Sequence, residues 1–240
     1  PLQSEIYSIV RMSGQLFLTC LFFWLYTAKV LHLKMNFFRI NMNVKFWGLL
    51  FAVLLPVFVI IVFFLIGKTE ITSFEISEVI LIVISSIFTA LKAGITEEML
   101  FRGFIMKLLE SRWNRYVAVL VPSFLFSLLH IPSMETLSII GVVLLIVSGT
   151  LVGVMFSVIA YKGNSIANSV IIHTVWNFAM ITGILQITTE QSHYGNPIFS
   201  IIIPADNVLL TGAGFGVEAS IIAIIGYACI CAICLISKKK

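Results

Sequence analysis

Three short motifs hold most of the chemistry available to this 240-residue chain: Glu97-Glu98-Met99-Leu100-Phe101-Arg102, then Phe126 to His130, then His173 to Asn177. Each sets ionisable or strongly hydrogen-bonding side chains inside an otherwise apolar stretch, where an unpaired charge is costly and marks a functional site by default. Glu98 and Arg102 stand four residues apart, on one helix face and in the order that favours an ion pair. Glu97 points about 100° away from that face, so the pair does not neutralise it. A carboxylate with no cation of its own can serve as a general base. His173 and Asn177 are also four apart, and two such donors aimed at one oxygen would make an oxyanion hole. The plainer readings are a structural salt bridge for Glu98 and Arg102, helix contacts for His173 and Asn177, and a helix cap for His130, which stands just before Pro132. None of these explains Glu97.

The elements that must position these groups are membrane helices. Hydrophobic residues make up 60% of the chain and charged residues 11%, and the mean hydropathy is +1.09. A single soluble core could not hide that balance. Apolar runs of about 20 residues cross the hydrocarbon layer as helix, and the alternating decapeptides of a transmembrane barrel are missing. The pattern predicts an all-α, polytopic membrane helix bundle forming one integral membrane domain over residues 1–240. Its helices fall near residues 12–31, 46–66, 79–106, 116–131, 137–161, 165–188 and 217–236. The first resembles a signal peptide, but its apolar run is long and no small-residue cleavage site follows, so it is read as a span. Pro56 sits in the middle of the second as an expected kink. The stretch 189–216, with its apolar patch Ile198 to Ile203, Pro204 and the glycines Gly212, Gly214 and Gly216, is expected to form an outer lid or a re-entrant segment, with room for an eighth short helix.

Loop charges give an independent topology. Lys34, Arg39, Lys45, Lys107, Arg112, Arg115, Lys162, Lys238, Lys239 and Lys240 fall in alternate connections. Glu70, Glu75, Glu78, Glu135, Glu190 and Asp206 fall in the others. The alternation predicts an outside N-terminus and a cytoplasmic C-terminus. It also accounts for the pI of about 9.0 without nucleic-acid binding, for which a basic stripe interleaved with aromatics is absent. At 1.5 Å per residue, Glu97 lies roughly 15 Å, His130 roughly 21 Å and His173 roughly 12 Å from the inner ends of their helices, one mid-membrane layer. Cys229, Cys231 and Cys234 in the last helix read as small packing residues, with acylation as an alternative near the cytoplasmic face. Gly149 and Gly153 read as a close helix contact.

Taken together, the motifs resemble those of the CAAX-protease and bacteriocin-processing (CPBP, or Abi) family of intramembrane endopeptidases. The family pattern is a double glutamate followed after three residues by arginine, phenylalanine with three residues to histidine, and histidine with three residues to asparagine. All three are intact and in order, and the resemblance covers roughly residues 80–185. It implies that Glu97 with His130 holds and deprotonates the attacking water. It further implies that His173 and Asn177 stabilise the oxyanion and that Glu98 with Arg102 is a supporting pair. Family substrates include prenylated CAAX proteins and bacteriocin or pheromone peptides, so the implied partners are a membrane-associated peptide or protein and the lipid bilayer.

Two other classes fit parts of the pattern. A proton-coupled transporter could relay protons through Glu97, His130 and His173, but the inverted repeats that would favour it are not found. A non-proteolytic immunity or scaffold protein could keep the fold, and the intact triplet of motifs argues against it. These proteins are often classed as metalloproteases, and Glu97, His130 and His173 could supply three ligands to a catalytic zinc. The His-Glu-x-x-His spacing of familiar zinc proteases is absent, however, and Asn177 beside His173 suits an oxyanion. The favoured expectation is therefore glutamate-directed water attack with no cofactor required, zinc being the alternative.

The charge alternation has a direct check. In intact cells, a membrane-impermeant thiol reagent should label a cysteine placed at Glu75 or Asp206 and leave one at Arg39, Arg112 or Lys239 unmodified. Labelling at Arg112 would invert the topology.

Overall fold

The computed structural model describes residues 2–189, 197–203 and 207–237. Of the loop residues used above, Glu190, Pro204, Asp206, Lys238, Lys239 and Lys240 lie outside them. The chain is an all-α polytopic bundle with one small sheet. Helix α1 (Leu2–Leu25) runs on through a wider π-helical stretch, Tyr26–Val30. α2 is Phe46–Ile66 and continues unbroken through Pro56. α3 (Ile76–Glu98), a π-helical stretch (Met99–Ile105) and α4 (Met106–Arg112) form one rod, followed by α5 (Arg115–Leu128), α6 (Ile139–Gly163) and α7 (Ala167–Met180). A single turn, α8 (Val208–Thr211), precedes α9 (Ile221–Ile236).

Among the described residues, five helices are long and apolar enough to cross a membrane, and α9 is a shorter apolar helix. The expected first helix begins ten residues earlier than the hydropathy placed it. Glu5 makes this possible, since its carboxylate accepts a hydrogen bond from Ser85 of α3.

The larger difference concerns the expected helix 165–188, which ends at Met180. The chain turns at Thr182 and Gly183, and Leu185–Thr188 is a strand, β2. With β1 (Lys68–Ile71) and β3 (Phe199–Ile202) it makes a three-stranded sheet in the order β1-β3-β2, β3 pairing antiparallel with β1 and parallel with β2. The apolar patch at 198–203 is thus largely strand, packed into the sheet. Strands of four residues are too short to show alternation, and buried on every residue, β2 reads as more of the preceding helix.

Glycines set how closely the helices approach. A Cβ on Gly149 would lie 2.7 Å from the Ser127 Cβ, and one on Gly153 would lie 2.7 Å from the Ser123 Cβ, so α5 and α6 pack along the small-residue face expected from the sequence. Gly94 performs the same service between α3 and α7, where a Cβ would come within 3.0 Å of the Thr174 backbone nitrogen. Gly94 lies one turn before Glu98 and Thr174 follows His173, so this contact presses the first and third motifs together.

Enlarging Gly153 to leucine should cost about 1–3 kcal/mol through overpacking, read as a lower melting temperature in detergent. Gly14→Ala, inside α1 with open space around its Cβ, should not lower melting and should raise it slightly.

Candidate active site

The wide turns of Met99–Ile105 bury four consecutive residues, Phe101 to Phe104, more than one stripe of a straight α-helix would cover. Such π-helical insertions recur at functional sites. Here the insertion carries Arg102 inward, to Glu98 at the end of α3.

Both side chains are fully buried, and Arg102 Nη1 donates to Glu98 Oε1 at 2.8 Å. The guanidinium carbon also lies 4.9 Å from the Phe126 ring centroid and 5.2 Å from that of Phe156, so aromatic faces flank a cation that has lost its water. Among the described residues Arg102 Nε and Nη2 and Glu98 Oε2 have no hydrogen-bond partner, which makes the shared bond costly to lose.

The same Glu98 oxygen reaches α7. His173 Nδ1 lies 3.0 Å from Glu98 Oε1, donating to it, and the imidazole stacks on Phe156 with centroids 4.8 Å apart and planes 17° apart. Glu98 therefore does more than pair with Arg102: it fixes the rotation of the His173 ring. The ring's other nitrogen, Nε2, stands 3.7 Å from Glu97 Oε2. Glu97 has the orientation its spacing implied, off the Arg102 face.

A cavity of about 340 Å³ brings Glu97, His130, His173 and Asn177 together. His130 Nδ1 caps α5 by donating to the Phe126 carbonyl at 2.7 Å, which leaves Nε2 as the ring nitrogen without a partner among the described residues. His130 thus caps its helix and also lines the cavity. Asn177 lies one turn beyond His173 on α7. All six residues singled out in the sequence are thus gathered, four around the cavity and two behind its wall.

The sequence reading passed over Glu218. It lies on the 3₁₀ turn Val217–Ala219 just before α9, outside the spanning helices, and faces the same cavity. Its carboxyl is raised to about 8, chiefly by burial; a hydrogen-bonding contribution from Trp176 opposes the rise and the Glu97 carboxylate adds to it. An acidic residue between a glycine cluster and an apolar helix was the one available signal, and it looks like any loop charge.

A metal centre needs converging donors. Among the described residues no three His, Cys, Asp or Glu side chains are grouped as metal ligands would be. Glu97, His130 and His173 share the cavity without forming such a cluster.

Breaking the buried pair from either side leaves its partner uncompensated. Arg102→Ala and Glu98→Ala should each destabilise the protein by about 3–5 kcal/mol, measured by thermal unfolding in detergent. Unchanged melting of both would remove the pair from the folding energetics.

Residues 78–179 match the family model described as Type II CAAX prenyl endopeptidase Rce1-like. That stretch contains all three motifs. No curated protein and no solved structure matches the chain.

Proposed function

Because the chain belongs to the CAAX-protease and bacteriocin-processing family, whose Rce1-like members are proteases, we propose that it is an intramembrane endopeptidase that hydrolyses peptide bonds of membrane-associated substrates with water activated by Glu97. The observation that carries this reading is the division of labour between the two adjacent glutamates. Glu98 is bound to Arg102 and His173 in the wall, while Glu97 stands free of that bond in a cavity shared with His130, His173 and Asn177.

In this reading a water lies between Glu97 and His130. Glu97 takes its proton as the oxygen bonds to the scissile carbonyl carbon. The carbonyl oxygen becomes an oxyanion beside His173 and Asn177. His173 spends its Nδ1 proton on Glu98, so it donates from Nε2 only as imidazolium. Asn177 adds an uncharged donor from the next turn.

The substrate class proposed is a peptide or protein segment held at the membrane, of the CAAX type or a bacteriocin or pheromone precursor. The alternating loop charges support an outside N-terminus and a cytoplasmic C-terminus. In this reading water attack directed by Glu97 requires no metal.

Purified protein in lipid, incubated with candidate membrane peptides, should yield a defined cut by mass spectrometry. Glu97→Gln, nearly isosteric but unable to accept the proton, should reduce cleavage by about 10²-fold or more with unchanged melting. Activity should persist in protein shown metal-free by elemental analysis. Near-normal turnover of Glu97→Gln removes Glu97 from the mechanism, and loss on metal stripping with recovery on stoichiometric zinc reassigns Glu97, His130 and His173 as ligands.

A further inference from the structure

Glu218 lies outside the stretch that carries the family pattern, yet it lines the cavity that Glu97, His130, His173 and Asn177 line. It also lines a second cavity of about 280 Å³, which shares Ile181 and Phe215 with the first. It therefore stands where the two cavities adjoin. The partly exposed side chain opens onto this interior space.

Its position is fixed from several sides. The Trp176 indole lines the same cavity as its carboxyl and favours the carboxylate form, and Trp176 lies on α7 between His173 and Asn177. The Tyr227 hydroxyl donates to the Glu218 backbone carbonyl at 3.3 Å, and the Tyr227 and Trp176 rings meet edge to face at 5.5 Å. Gly216, at φ +113°, turns the chain into the site with a backbone that side-chain-bearing residues rarely adopt. A carboxyl held this firmly in a cavity, with no cation bonded to it among the described residues, calls for a role.

We propose that Glu218 is the general acid of the reaction, delivering a proton to the leaving amine while Glu97 acts as base on water. The inference rests on the endopeptidase reading above. Two carboxyls lining one cavity cannot both ionise without cost, and their environments separate them into an acid and a base. Glu97 lies beside His173, a proton-bearing cation in that reading, and serves as the carboxylate. Glu218, in the wall of the same cavity as the Glu97 charge, carries the proton.

The step balances. Water loses a proton to Glu97 as its oxygen bonds to the carbonyl carbon. When the C–N bond breaks, its electron pair stays on nitrogen, which takes the proton from Glu218. Glu218 is left as carboxylate and Glu97 as acid, and transfer of that proton across the cavity restores both. The products are a carboxyl and an amine.

The test replaces the leaving group. A peptide that the wild-type protein cuts is synthesised again as a depsipeptide, with the scissile N–H replaced by oxygen, whose better leaving group depends much less on protonation. Glu218→Gln should cut the peptide about 10²–10⁴-fold more slowly than wild type and cut the depsipeptide within severalfold of the wild-type rate. Glu218→Asp, which keeps an acid, should retain more peptide cleavage than Glu218→Gln.

Equal loss on both substrates makes Glu218 a structural residue and overturns the proposal, as does unchanged peptide cleavage. If the wild-type protein cuts no candidate membrane peptide, so that no such pair can be made, the endopeptidase reading itself fails. If wild type cuts both and Glu218→Gln does too, only the role of Glu218 falls.

Discussion

A single carboxylate oxygen, Glu98 Oε1, joins three elements of this protein. It accepts from Arg102 at 2.8 Å and from His173 at 3.0 Å, in a place where neither Glu98 nor Arg102 has any solvent exposure. Removing two charges from water costs several kcal/mol per ion and is offset only by close geometry and further hydrogen bonds. The surroundings meet that demand: the π-helical stretch turns Arg102 inward, Gly94 lets α7 approach, and Phe126 and Phe156 line the cation. Stability here is coupled to function, because the bond that compensates the buried arginine is made by the same oxygen that orients the proposed oxyanion-binding imidazole.

The adjacent glutamate behaves differently because it is one residue away. A helix rotates about 100° per residue, so two neighbouring carboxylates of identical chemistry meet different surroundings. Glu98 enters the protein wall and is bonded there to Arg102 and His173. Glu97 enters the cavity. Helix geometry thus gives the double glutamate two surroundings, and the proposed base and supporting roles follow that division.

The bundle and the placing of the motif residues were legible because each rests on a local rule. Apolar runs gave the bundle, spacing of four gave the pairs Glu98–Arg102 and His173–Asn177, and order along the chain gave the family resemblance. What escaped depends on contacts distant in sequence. β2 is apolar and buried throughout, and only pairing with β3 separates it from the helix before it. The bond from His173 to Glu98 spans 75 residues, and no spacing within either motif announces it. Glu218 is drawn into the cavity by the turn at Gly216 and by Trp176, neither of which marks it in the sequence.

The central claim is that the cavity binds a tetrahedral, water-derived intermediate between Glu97 and the His173–Asn177 pair. A structure with a membrane-peptide phosphinate bound, its two oxygens mimicking the attacking water and the oxyanion, tests this most directly. The account predicts one oxygen within about 3 Å of His173 Nε2 and the Asn177 amide, and the other beside Glu97 and His130. Both oxygens bound to a metal ion held by Glu97, His130 and His173, or a phosphinate seated away from this cavity, would contradict it.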